Sequence, residues 1–297
     1  MKDYLIKGYA YEGTVRVYAA ITTQLVQEAK TRHDLWPTAT QALGRTLTAG
    51  VIQGAFYAED QQITIRIDGG GPIGKITVDA DAHGHVRGYV TQPHVNLVYD
   101  QGPKKGQSAV GQAVGTNGFI SVTKDLKIRD FFTSTAQLQT GEIAEDFTYY
   151  FATSEQIPSA VGLGLVVTPD NNVQVAGGFI VQVMPGCGAE SILRIEKIIA
   201  TMPSLNELLL DGKTPEDIVD LLSDMKWDPL YTLDLTYQCN CSKDRFKAGL
   251  ATLPDADLID MLDDEITTTE CHFCKSSYAF TKDEIEEIIV SRKKELN

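Results

Sequence analysis

Four of the five cysteines lie in two tight pairs near the C-terminus, Cys239-Asn240-Cys241 and Cys271-His272-Phe273-Cys274, and they constrain the fold more than any other feature. A zinc ion needs four soft ligands at tetrahedral corners, and two short pairs joined by a folded connector supply four thiolates while ordering few residues. The 29 residues between Cys241 and Cys271 are too few for a robust core of their own. The expectation is therefore a small C-terminal domain folded around one zinc ion held by Cys239, Cys241, Cys271 and Cys274. The spacing also permits a second state. Residues i and i+2 on an extended strand have Cα atoms about 6.6 Å apart, near the upper limit a disulfide spans. Each pair can close on itself, so the cluster is a candidate redox switch as well as a plain structural zinc site. His272 competes as a ligand, but a residue directly after a ligating cysteine usually points out of the knuckle. Cys187, in Met184-Pro185-Gly186-Cys187-Gly188, stands alone and reads as a small buried or loop residue rather than a nucleophile.

The surrounding chain is that of an ordinary soluble protein: 297 residues, 43% hydrophobic and 22% charged, enough for one large or two smaller domains. The N-terminal segment from Met1 to Gly8 has charges at both ends of a short apolar run and no signal-peptide core, and no stretch has the length of a membrane span. The expected location is cytoplasmic, where a disulfide is more often transient or sensory than structural. No membrane partner is expected either, and a net charge of −14 repels polyanions and argues against nucleic-acid partners. Zinc modules often bind nucleic acid, so the local balance matters. From Leu230 onward eight Lys/Arg face fourteen Asp/Glu, and the run Arg292-Lys293-Lys294 reads as the basic last turn of a helix.

The fold class is α+β: an N-terminal antiparallel-sheet domain with helices over 1–184, a short metastable helical linker over 185–229, and a small zinc-binding domain over 230–297. Leu5 to Tyr11 and Val15 to Ile21 flank the turn Glu12-Gly13-Thr14 as a hairpin. A helix follows Pro37 over 38–55, where apolar residues recur at helical spacing. Residues 62–68, 74–79 and 85–91 alternate as an antiparallel meander. Further strands are expected at 118–123, 161–168 and 173–183, with 144–156 partly helical. Beyond Val183 come three short helices, 190–200, 204–210 and one from Pro215 to about Met225 with Thr214 as N-cap and Asp217 near its capping-box site. Each is shorter than an isolated helix needs to persist, so each must dock an apolar face elsewhere. The last domain reads as a strand over 231–237, the first cysteine pair, a helix from Ser242, a helix over 255–265, the second pair, a strand, and a helix capped by Thr281 with Glu284.

Gly69-Gly70-Gly71-Pro72-Ile73-Gly74-Lys75-Ile76 matches the spacing of a phosphate-binding loop but fails its chemistry. Ile76 stands where Ser or Thr must hold magnesium, and the strand-like run that follows offers no helix N-terminus. These glycines read as a tight strand connection with positive φ.

Taken together the chain resembles the heat shock protein 33 family of redox-regulated molecular chaperones along essentially its whole length. The resemblance rests on the spacing of the two cysteine pairs and on the stretches Asp68 to Gly74, Ala113 to Gly118, Thr140 to Tyr150, Ser154 to Pro158 and Gly177-Gly178-Phe179. It implies a non-enzymatic, ATP-independent holdase of the stress response that binds unfolding proteins. On that resemblance the protein is inactive when reduced and zinc-bound. Oxidation activates it through disulfides Cys239–Cys241 and Cys271–Cys274, with zinc release, linker unfolding and homodimerisation. Cys187 lies outside the pattern. Two rival readings use the same residues: a thiol-disulfide oxidoreductase acting through Cys271 and Cys274, and a constitutive binding module in which zinc is only a staple. Against the oxidoreductase, a thioredoxin-like motif opens a helix after a strand, whereas here it follows Thr267-Thr268-Thr269-Glu270 and precedes another strand-like run.

Overall fold

Alternating apolar residues at the start of the chain build a hairpin. The computed structural model describes residues 2–58 and 60–295, and in it β1 (Tyr4–Ala10) and β2 (Val15–Ile21) pair antiparallel, Tyr4 against Ile21 and Ala10 against Val15. Helix α1 (Thr23–His33) follows without a local side-chain cap. The Asp3 carboxylate, 21 residues upstream, accepts the backbone N–H of Gln24 at 3.2 Å and of Leu25 at 2.7 Å, satisfying donors a helix start leaves open. Helix α2 (Pro37–Gly54) begins on a proline, whose fixed φ suits the first helical position.

The expected meander forms as β3 (Gln62–Asp68), β4 (Lys75–Asp81) and β5 (His85–Val90), each antiparallel to the next. Between β3 and β4, Gly70 and Gly74 take φ of +73° and +68°, so the glycine run is a strand connection, as its sequence implied. Helix α3 (Val110–Val114), strands β6 (Phe119–Asp125) and β7 (Phe132–Gln137), and helix α4 (Ala144–Tyr150) come next. The helical stretch continues to Glu155 as a π-helical turn. Strands β8 (Ser159–Val167) and β9 (Val173–Val183) then lead into α5 (Ala189–Thr201), α6 (Leu205–Leu210) and α7 (Pro215–Leu222), followed by β10 (Trp227–Asp234) and β11 (Thr236–Tyr237). Helix α7 stops three residues before the expected Met225. Asp224 and Met225 both have left-handed φ, +55° and +59°, which a continuing helix does not admit.

These elements form a five-stranded antiparallel sheet in the order β10-β1-β2-β9-β8 and a six-stranded sheet in the order β11-β5-β4-β3-β6-β7. Helix α2 lies against both. Close approach explains its small residues: a Cβ on Gly44 would stand 2.3 Å from Leu165 Cδ1 on β8, and one on Gly50 2.8 Å from Val78 Cγ1 on β4. Around α2 the inner faces of both sheets bury Leu5, Tyr18, Ile65, Ile76, Ile120 and Ile180 in one continuous core. The outer face of the five-stranded sheet is also apolar. Ile6, Val15, Val17, Phe179 and Val181 pack there against Ile195 of α5, Leu205, Leu208 and Leu209 of α6, and Ile218, Val219 and Leu222 of α7. The short helices dock as their length requires.

The chain divides into two units, Met1–Gln238 and Cys239–Asn297. The strand read over 231–237 appears as β10 and β11, which pair with β1 and β5 in the first unit. The second unit holds α8 (Lys243–Leu250), α9 (Asp255–Asp260), β12 (Ile266–Glu270), β13 (Ser277–Thr281) and α10 (Lys282–Glu295). The single helix expected over 255–265 is shorter: after Asp260 it tightens into a 3-10 turn at Met261–Asp263. The antiparallel β12–β13 pair carries the second cysteine pair in its turn. Among the described residues the second unit's hydrophobic core is five buried side chains, Leu250, Leu258, Phe280, Ile285 and Ile288. Among the described residues no helix is long and apolar enough to cross a membrane.

Candidate metal centre

Local turns bring the four cysteines together. Cys239 and Cys241 precede the Ser242 N-cap of α8, whose hydroxyl accepts the Arg245 N–H at 3.2 Å. The Arg245 guanidinium donates back to the Asn240 carbonyl at 2.9 Å, fastening the first pair to the helix. The second pair is held by the Cys271 N–H on the Ser276 carbonyl at 2.9 Å and the Lys275 N–H on the Cys271 carbonyl at 2.8 Å, with Lys275 in a left-handed conformation. Lys275 also pairs with Glu270 at 2.7 Å across the base of the turn.

The four sulfurs all lie within 4.8 Å of one another. Cys239 and Cys271 approach to 3.8 Å and Cys241 and Cys274 to 3.2 Å. With zinc–sulfur bonds of about 2.3 Å, the edge of a tetrahedron is about 3.8 Å, so the spread fits a tetrathiolate site. Cys271 and Cys274 are buried and the other two partly so; none is in a disulfide. His272 is exposed and is not in the group of converging ligand atoms. Cys187 lies in the first unit, partly buried beside the apolar cluster under α5–α7.

The electrostatics of this donor set call for a cation. Burial pushes the Cys241 thiol up to about 12, and neighbouring thiols add to the effect. Burial also works against ionising Cys274, but hydrogen bonds with the Ser276 side chain and backbone and with Cys241 and Cys271 outweigh it and bring that thiol down to about 6. Burial thus resists ionisation of the Cys241 thiol, while the hydrogen bonds at Cys274 favour it. A bound dication overcomes that resistance and deprotonates coordinating thiols outright. Cys239, Cys241, Cys271 and Cys274 could together hold such an ion.

Two hydroxyls that sequence reasoning had not singled out reach the cluster. Tyr278 Oη is 3.1 Å from Cys241 Sγ and Ser276 Oγ is 3.3 Å from Cys274 Sγ. The available signal was period-2 alternation. Ser276, Tyr278 and Phe280 face inward while Ser277, Ala279 and Thr281 are exposed, as expected for a one-sided strand. The oxidoreductase reading finds no support in this geometry. Cys271 to Cys274 occupy a hairpin turn, and the next helix begins only at Lys282.

The sequence profile of the Hsp33 protein family matches residues 3–281. A protein named 33 kDa chaperonin from Geobacillus sp. (strain WCH70) is 48% identical over 290 residues, covering 97% of each chain. One of the same name from Bacillus subtilis (strain 168) is 45% identical over 285 residues, covering 96% of this chain and 97% of its own. Among solved structures, the 33 kDa chaperonin (heat shock protein 33 homolog) of Thermotoga maritima superposes with a TM-score of 0.92 at 33% identity, covering 99% of this chain and all of that one.

Proposed function

The chain belongs to the Hsp33 family of non-enzymatic chaperones, and on that premise we propose that it is a redox-regulated, ATP-independent holdase. In this reading it works in the cytoplasm, quiescent while a zinc ion is bound by Cys239, Cys241, Cys271 and Cys274. The observation that carries the proposal is the convergence of those four sulfurs within 4.8 Å in a unit whose hydrophobic core, among the described residues, is five buried side chains. Structural zinc contributes about 10–16 kcal/mol of apparent folding free energy in small modules, which is as much as the whole stability of many domains.

Oxidation removes the ligands. With peroxide, one thiolate of a pair attacks an oxygen, the O–O bond breaks, and a sulfenic acid forms as hydroxide leaves. The second thiolate then displaces hydroxide from that sulfur as the S–S bond closes. One peroxide is consumed per pair. We assign the disulfides to Cys239–Cys241 and Cys271–Cys274. That pairing is the one the resemblance to the family implies, and it leaves the two cysteine pairs free to separate.

The functional division is then a chaperone core at 1–184, a metastable linker at 185–229 and a switch at 230–297. Helices α5, α6 and α7 cover an apolar sheet face, and their release would expose the kind of surface that binds other proteins. Its occupants would be unfolding clients and a second copy of the chain. The deciding experiment measures zinc content and suppression of a denatured client's aggregation on one sample, before and after oxidant. Suppression should rise as zinc falls. Peroxide that releases no zinc would favour the constitutive, zinc-stapled module instead.

A further inference from the structure

We propose that Tyr278 is a positioning residue of the four-cysteine site, donating its hydroxyl to the Cys241 sulfur. In that role it sets how tightly the site holds its cation and how fast it yields to oxidant. The inference rests on the redox reading above but is carried by its own geometry. Tyr278 Oη lies 3.1 Å from Cys241 Sγ, within the range for a hydrogen bond to sulfur. The ring cannot easily swing away. It packs on Phe246 of α8 with centroids 5.0 Å apart, and its backbone is fixed in the β12–β13 ladder opposite Thr269. Helix α8 begins two residues after Cys241, so one side chain ties the strand bearing it to the first cysteine pair and to the adjoining helix.

The chemistry follows from where the hydroxyl points. A phenol donating to a thiolate draws on the sulfur lone pairs that would bind an electrophile, and it holds the sulfur in place for a cation. Groups that orient metal ligands in this way typically change metal affinity by about 10- to 100-fold when removed. Attack on peroxide uses those same lone pairs, so a donor-free Cys241 becomes the faster nucleophile. Ser276 differs: there the Cys274 thiol donates to the serine oxygen, at 3.3 Å.

Tyr278→Phe tests the proposal, because it deletes one oxygen and keeps the ring on Phe246. In competition with a chromogenic chelator the reduced variant should bind zinc about tenfold more weakly, and peroxide should release its zinc several-fold faster. A spectroscopic readout separates hydrogen bonding from packing. With cobalt(II) in place of zinc, the sulfur-to-cobalt charge-transfer band should move to lower energy in Tyr278→Phe, while the visible bands of tetrahedral cobalt persist. Phe246→Leu, which strips the ring contact and leaves the hydroxyl, should not reproduce the shift. An unmoved charge-transfer band with unchanged zinc affinity would overturn the proposal. So would loss of the tetrahedral bands in Tyr278→Phe, since the side chain would then be a scaffold and not a donor. If peroxide released no zinc even from the unaltered protein, the redox reading would fail, yet the cobalt spectra would still decide the role of the hydroxyl.

Discussion

Ile218→Ala should partly switch the reduced, zinc-loaded protein on. Helix α7 has eight residues, too few to persist alone, and Ile218, Val219 and Leu222 are each fully buried against the outer face of the five-stranded sheet. At about 1.5–3 kcal/mol for each buried side chain, the three hold the helix down by roughly 5–9 kcal/mol. Truncating a buried isoleucine to alanine costs about 2–5 kcal/mol. Since about 1.4 kcal/mol is tenfold in an equilibrium, the undocked population should grow about 30-fold or more. Hydrogen exchange of the amides in 205–222 reads that population, and light scattering of an aggregating client under reducing conditions reads activity. Both should rise together. Leu221→Ala, on the same helix but 39% exposed, should leave both within error. Faster exchange in Ile218→Ala with no gain in suppression would refute the reasoning, because the covered sheet face would then not be where clients bind.

Three further outcomes follow from the structure. Stripping the metal from reduced protein with a strong chelator should collapse the protection of α8 and α10 while the amides of α2, in a separate core, stay protected; persistent protection of α8 and α10 would show that the metal is not what folds the second unit. Thr214→Ala removes the hydroxyl that accepts the Asp217 N–H and should destabilise α7 by about 1 kcal/mol, read as faster exchange there. The Thr214 N–H in turn holds the Asp217 carboxyl below its usual range. That contribution is complete above the unfolded aspartate value of about 3.9 and is lost as pH falls through the lower folded value, so any loss of α7 docking from pH 5 upward must have another origin. Finally, the protein should not reduce insulin, since its C-x-x-C motif sits in a hairpin turn; reduction abolished by Cys274→Ser would reinstate the oxidoreductase.

The elements legible in the sequence are those whose signals are local. The hairpin around Gly13, the meander from β3 to β5, the capping box at Thr214 and the Thr281–Glu284 cap of α10 each sit within a few residues of what they specify. Helix α1 escaped notice because its cap is Asp3, on the far side of the first hairpin. Strand β7 escaped because it is a mostly exposed strand, Phe132-Thr133-Ser134-Thr135-Ala136-Gln137, with one buried side chain. The four cysteines were legible because the chemistry of a tetrathiolate is written in spacing. Tyr278 was not, since its role depends on a strand pairing that brings Cys241 beside it.

Strand β9 carries a fact about the resting state that alternation alone does not. In an antiparallel sheet with one wet face, inward apolar residues alternate with outward polar ones. From Ala176 to Gln182 every residue of β9 is buried, because α2 takes one face and α5–α7 take the other. The same loss of alternation runs through β2 from Val17 to Ile21. A sheet apolar on both sides cannot leave either side to water without presenting a contiguous patch of the kind soluble monomers avoid. The helices after Val183 are therefore an obligatory cover, made of segments too short to stand alone. If they leave, another apolar surface has to replace them, whether an unfolding chain or a second copy of this one. Control of the cover then amounts to control of the surface, and on the proposed reading a side chain such as Ile218, far from any cysteine in sequence, bears on activity as directly as the cysteines would.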